Sequence, residues 1–163
     1  MKEYILNILE SFEYRINFKK YWKRRMTVQS CVWGGGVRKI YYILWLRRQE
    51  AKFSATTGIG LSTEKSLCCY FNESAVMPHG LSGIIIARNV TFVGKVVIYQ
   101  HVTIAESNKE KYTYIGAGVQ IGAGAVILNN VHIGNNVKIG ANAVVTHDIP
   151  DNTTVVEVPA RIV

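Results

Sequence analysis

The sequence predicts a β-solenoid, a chain that turns a corner every six residues and winds into a triangular prism. Three observations predict it. Large apolar residues recur at period six, through Ile115, Ile121, Ile127, Ile133, Ile139 and Val145, and earlier through Ile86, Phe92, Ile98 and Ile104. Gly takes the second place in the hexads at Gly116, Gly122, Gly134 and Gly140. The fifth place is small or β-branched, with Val90, Val96, Val102, Val119, Ala125, Val131, Val137 and Ala143. A helix repeats at about 3.6 residues and a plain strand at about 2, so period six fits neither. A β-sandwich alternates at period two with irregular strand spacing and does not produce a fixed hexad either.

Each place in the hexad has a physical reading. The first side chain points into the prism and forms the core. Gly and Asn at the second to fourth places supply the dihedrals of a tight corner. The sixth place falls on an outward corner, which puts His132 and Lys138 in solvent. Three hexads make one coil, and coils stack at the strand spacing of about 4.8 Å. Ile104 and Ile115 stand eleven residues apart where six would continue the repeat, so a polar loop is expected over residues 105–114. Loops on rigid repeats are where binding sits.

Ahead of the solenoid, expected over 56–163, lies a basic region, 1–55. It holds 12 Lys and Arg against 4 Glu, whereas residues 56–163 hold 7 basic and 7 acidic side chains. Helices are expected near 2–14 and 37–52, with Gly34-Gly35-Gly36 breaking the chain between them. The region reads as a cap on the open end of the solenoid. Basic, aromatic helices also suit peripheral contact with an anionic membrane. No nucleic-acid motif is present, so no nucleic-acid partner is expected. No apolar run reaches the roughly 18 residues of a membrane span. The charged N-terminus lacks a signal cleavage pattern, and three cysteines make no disulfide framework. A cytoplasmic protein is expected, at most at the inner face of the membrane.

The chemistry must sit where the repeat is disturbed. His79 stands in Met77-Pro78-His79-Gly80-Leu81-Ser82-Gly83, where Pro and Gly shape an irregular backbone that suits a positioned base. His101, just before the loop, faces either the site or the surface. His132 reads as a surface residue and His147 as structural. The four histidines include no close pair, which speaks against a zinc-dependent carbonic anhydrase of this architecture; no metal is expected.

The strings MPHGLSGIII (77–86), VVIYQHVTI (96–104), IGAGAVIL (121–128), VKIGANAVV (137–145) and VPARIV (158–163) carry a resemblance. Together they resemble the hexapeptide-repeat acyltransferases, in particular the serine acetyltransferase group, and more closely the small capsular and exopolysaccharide O-acetyltransferases related to it. The resemblance implies a left-handed parallel β-helix, although ordinary crossovers are right-handed. It implies acetyl-CoA as co-substrate, a homotrimer with sites between subunits, and His79 as general base. It also implies Glu64, fifteen residues upstream, as the carboxylate that orients His79. For the cofactor it implies Ser107 in the loop, Ala123 and Ala141 at small corners, and Lys138 and Arg161 toward the nucleotide phosphates. His101 and Tyr112 are the residues expected to meet the acceptor. Serine acetyltransferases carry Asp before the catalytic His and a His near the end of the loop, where this sequence has Pro78 and Tyr112. The loop is also shorter and has Ala105-Glu106 in place of paired glycines. These departures remove groups that would clamp a zwitterion, so a sugar or glycan hydroxyl is the expected acceptor. Serine O-acetylation is the alternative, and a non-catalytic binding solenoid the second.

Overall fold

The computed structural model describes residues 17–30, 36–57, 69–105 and 112–163. The helix expected near 2–14 and most of the loop expected over 105–114 lie outside the described residues.

Helix α1, Phe18–Ser30, forms on the basic stretch that the sequence reading left without an element. Asn17 caps it: its side-chain oxygen accepts from the Lys20 amide at 2.8 Å, and its carbonyl from the Tyr21 amide at 2.8 Å. The charges obscure an apolar face of Phe18, Tyr21, Trp22 and Val28 at helical spacing, of which the last three are buried. Helix α2, Gly36–Ala51, falls where a helix over 37–52 is expected. It ends as the Glu50 carbonyl accepts from both Phe53 and Ala55, with Ser54 in the left-handed region at φ 51°.

Three sheets form the walls of the prism. The first holds β1 (Thr56–Thr57), β3 (Ile85–Ile86), β6 (Thr103–Ile104), β9 (Val126–Ile127) and β12 (Val144–Val145). The second holds β2 (Tyr70–Phe71), β4 (Val90–Phe92), β7 (Thr113–Ile115) and β10 (His132–Ile133). The third holds β5 (Val97–Ile98), β8 (Gln120–Ile121), β11 (Lys138–Ile139), β13 (Thr154–Val156) and β14 (Arg161–Ile162). All named pairings are parallel except β13 with β14, which is antiparallel and lies at the edge of the third sheet. The register reports coil length. Ile85 pairs with Thr103 and Val126 with Val144, both 18 residues on. Val97 pairs with Gln120, 23 residues on, which is the five-residue insertion seen in the sequence. Val76 bridges Val97, 21 residues on, so the coil that contains His79 also carries three extra residues.

The turning is done at the fourth place of the hexad. Asn89, His101, Gly118, Gly124, Asn130, Asn136, Asn142 and Asn152 all hold positive φ, between 55° and 73°. Gly and Asn tolerate that region best. Because the bend falls there, the sixth and first places are extended. His132 and Lys138 therefore lie on strands β10 and β11, facing solvent, and not on corners as the hexad reading placed them.

The two helices close one end of the prism. Phe71 stacks on Phe92 at 4.2 Å, and Trp22 of α1 meets Phe71 edge-on at 5.1 Å. An open solenoid end presents unpaired backbone, and α1 side chains pair with it. The Gln29 amide both donates to the Phe71 carbonyl and accepts from its N–H. Arg25 donates to the Thr57 carbonyl and to its hydroxyl, each at 2.6 Å. Glu50 of α2 neutralises Arg25 at 3.8 Å and accepts from the Tyr21 hydroxyl at 2.7 Å and from the Thr57 hydroxyl. Burial and the Glu50 charge push the Tyr21 hydroxyl pKa up, which keeps it a donor.

Candidate active site

His79 projects from the edge where the third sheet passes into the first. Met77, Pro78, His79 and Gly80 form a turn closed by the Gly80 amide donating to the Met77 carbonyl at 3.0 Å. Pro at the second place presets φ, and Gly80 takes φ 71° at the fourth. The three extra residues of this coil make room for the turn, leaving His79 exposed while Leu81 anchors it in the core. Two backbone bonds hold the far side. The Gly83 amide donates to the Phe53 carbonyl at 2.9 Å, just beyond α2, and the His101 amide donates to the Ser82 carbonyl at 2.9 Å. The helical cap therefore supports the turn directly.

Two further rings stand on this edge. Tyr99 lies one coil below, its ring 5.8 Å from that of His79 and tilted by 40°. The sequence reading passed over Tyr99, although a signal was present: it occupies the second place of its hexad, where Gly is the rule. His101 holds the left-handed corner at φ 58°, and its ring covers Gly83. A Cβ on Gly83 would stand 2.2 Å from His101 Nδ1, so only glycine leaves the imidazole its place.

Below them the edge narrows to Ala123 and Ala141. The Gly124 amide donates to the Gln100 carbonyl at 3.0 Å and the Asn142 amide to the Ala123 carbonyl at 2.8 Å, so the corners stack backbone on backbone. A Cβ on Gly122 would meet the Ala141 nitrogen at 2.6 Å. The result is a ridge free of bulky side chains that a long amide-bearing ligand can approach closely.

The remaining expected site residues are more dispersed. Lys138 lies on β11, on the outer face of the third sheet between Gln120 and Thr154. Arg161 on β14 is exposed and 3.9 Å from Glu157, a solvent-screened pair worth little. Tyr112 precedes β7 on the edge between the first and second sheets, so one protomer does not bring it to His79. Glu64 and Ser107 lie outside the described residues. Among the described residues no group of three or more His, Cys, Asp or Glu is placed to hold a metal ion.

His101 offers a test of corner chemistry. His101→Asn is expected to keep the thermal midpoint, because Asn holds this corner in other coils. His101→Val is expected to cost about 1–2 kcal/mol, the penalty of the left-handed region for a β-branched residue. Thermal unfolding of both variants checks this.

Residues 112–147 match the family described as bacterial transferase hexapeptide (six repeats). Serine acetyltransferase of Bacillus subtilis (strain 168) is 33% identical over 129 residues, covering 77% of this chain and 56% of that protein. The solved serine acetyltransferase of Brucella abortus strain S19, in complex with coenzyme A, has a TM-score of 0.61 at 27% identity, covering 77% of this chain and 48% of that one. That of Neisseria gonorrhoeae, in complex with serine, has a TM-score of 0.59 at 31% identity, covering 76% and 48%. The chain thus spans about half the length of the relatives it matches. The solenoid is the left-handed parallel β-helix of such proteins.

Proposed function

We propose that this hexapeptide-repeat chain, similar over most of its length to serine acetyltransferases, is an acetyl-CoA-dependent O-acetyltransferase of the serine acetyltransferase type. One observation carries the reading: an exposed histidine on a shaped turn stands at the head of a corner kept clear of side chains by Gly122, Ala123, Gly140 and Ala141.

The chemistry follows from that arrangement. Neutral His79 accepts the proton of an acceptor hydroxyl as its oxygen attacks the thioester carbonyl of acetyl-CoA. The C–S bond breaks, the acetyl ester forms, and the proton passes to the departing thiolate to give CoA. Tyr99 packs beside the imidazole and limits its rotation, and Glu64 is the proposed carboxylate partner that fixes its tautomer. Ala123 and Ala141 let the pantetheine arm reach the backbone, with Ser107, Lys138 and Arg161 proposed along its length. A homotrimer would bring Tyr112 of one copy toward His79 of the next, which one protomer does not do.

Serine is the acceptor best supported by the likenesses found, ahead of the sugar expected from the departures at Pro78 and Tyr112. The sugar reading keeps one specific support. Among the described residues of the His79 edge, Pro78, Tyr99, Gln100 and Ser82 are uncharged, which suits neutral hydrogen bonding and stacking better than a zwitterion. In that case the basic helices would hold the enzyme near membrane-associated glycan precursors. Purified chain is to be incubated with acetyl-CoA and either L-serine or a panel of nucleotide sugars and oligosaccharides. An acetyl gain on serine supports the first reading, and a gain on a sugar alone moves the assignment to the second. No transfer to any hydroxyl contradicts both.

A further inference from the structure

Helix α2 is apolar on two sides. Ile43 and Leu46 face the core, whereas Val37, Ile40, Tyr41 and Leu44 remain 50–84% exposed on the other side. Their spacing forms one stripe along the helix. A helix end that only caps a solenoid needs no such outer stripe, so burial of the cap does not explain it.

The surroundings of the stripe are equally one-sided. Among the described residues of the two helices the only acid is Glu50, and it is buried against Arg25. Every exposed charge on them is therefore basic, including Lys19, Lys20 and Lys23 of α1 and Arg47 and Arg48 of α2. The basic and apolar surfaces join through aromatic rings. Arg24 lies 4.2 Å from the Trp45 ring and 5.5 Å from that of Tyr41, and Lys20 lies 5.7 Å from Trp45. Half-buried Trp and Tyr beside Lys and Arg, next to an aliphatic stripe, match the layered chemistry of a bilayer interface.

We infer that the outer face of α2, flanked by α1, docks on the surface of an anionic phospholipid bilayer. Val37, Ile40 and Leu44 enter the acyl boundary, Tyr41 and Trp45 sit at headgroup level, and the lysines and arginines meet lipid phosphates. No helix among the described residues is long and apolar enough to cross a membrane, so the contact is peripheral. A second copy is the less suitable occupant, because pairing this face with itself would oppose two basic surfaces. The inference concerns the outer face of α2, includes no residue of the His79 turn, and stands whichever acceptor the enzyme uses.

Co-sedimentation of the full chain with vesicles tests it. Binding is expected to equimolar phosphatidylcholine and phosphatidylglycerol and to be much weaker with phosphatidylcholine alone. Lys20→Gln with Arg48→Gln should weaken binding about thirtyfold, from roughly one lipid-attracted charge each. Ile40→Ser with Leu44→Ser should weaken it at least tenfold while leaving the circular dichroism melting curve unchanged. Equal binding to both vesicles, or binding that survives both double substitutions, overturns the proposal. So does a drop in light-scattering mass in the Ile40→Ser, Leu44→Ser variant without loss of vesicle binding, which would assign the face to a second copy.

Discussion

Replacing His79 by Ala is expected to lower kcat on the order of 10²–10⁴-fold, the range for loss of a positioned general base. The turn itself does not depend on the imidazole. Its closing bond joins the Gly80 amide to the Met77 carbonyl, and Pro78 and Gly80 supply its dihedrals. The ring is exposed, so its removal opens no cavity. The expected signature is a fall in kcat and kcat/KM together with little change in affinity for CoA, because the base acts only as the proton moves. Steady-state kinetics following thiol release from acetyl-CoA checks this. Near-normal turnover would remove His79 from the chemistry.

The second large effect lies in the cap. Arg25 and Glu50 are buried at 2% and 4% relative exposure and share Thr57 as a partner, while Glu50 also accepts from the Tyr21 hydroxyl. Truncating Glu50 to Ala leaves the guanidinium buried without its counter-charge, a change that costs about 3–5 kcal/mol. In a chain of this length that corresponds to a fall of roughly 10 °C in the thermal midpoint. The Phe53 carbonyl, just past α2, holds the Gly83 amide, so the loss is expected to reach the His79 turn. Arg25→Met combined with Glu50→Leu should cost less than the sum of the single changes, since neither charge is then stranded. Thermal unfolding of the three variants measures it; a Glu50→Ala midpoint at the wild-type value would show that the pair does not hold the cap.

The prism was legible because a fixed period is a long-range signal. Each buried Ile from Ile86 to Ile139 repeats the same vote for one geometry. Placing the corners needed more than the period. The residues of one hexad spread the corner over the second to fourth places, and the structure narrows the bend to the fourth, where Asn or Gly stands in most coils and His101 in one. Asn142 and Asn136 each fill the space that a Cβ on Gly124 or Gly118 would occupy. That rule relates residues 18 positions apart and is invisible within one hexad. It also explains why His101 is a corner residue first, with its ring laid over Gly83. Helix α1 was missed for a different reason. Lys19, Lys20, Lys23, Arg24 and Arg25 lower its mean hydropathy, although Arg25 turns inward, its two terminal nitrogens held by groups on α2, β1 and the chain at Cys69. Partners distant in sequence made a charged residue part of the core. The contact of Tyr99 with His79 joins residues 20 positions apart and exists only once the coils stack, so nothing in the local sequence of either marks it.

Isothermal titration of the purified chain with CoA separates an O-acetyltransferase from a structural solenoid, because the two differ first in whether the small-residue edge binds the cofactor. Saturable binding with one CoA per chain, retained in His79→Ala, is expected. Absence of any saturable heat, with the chain folded by circular dichroism, would contradict the O-acetyltransferase reading.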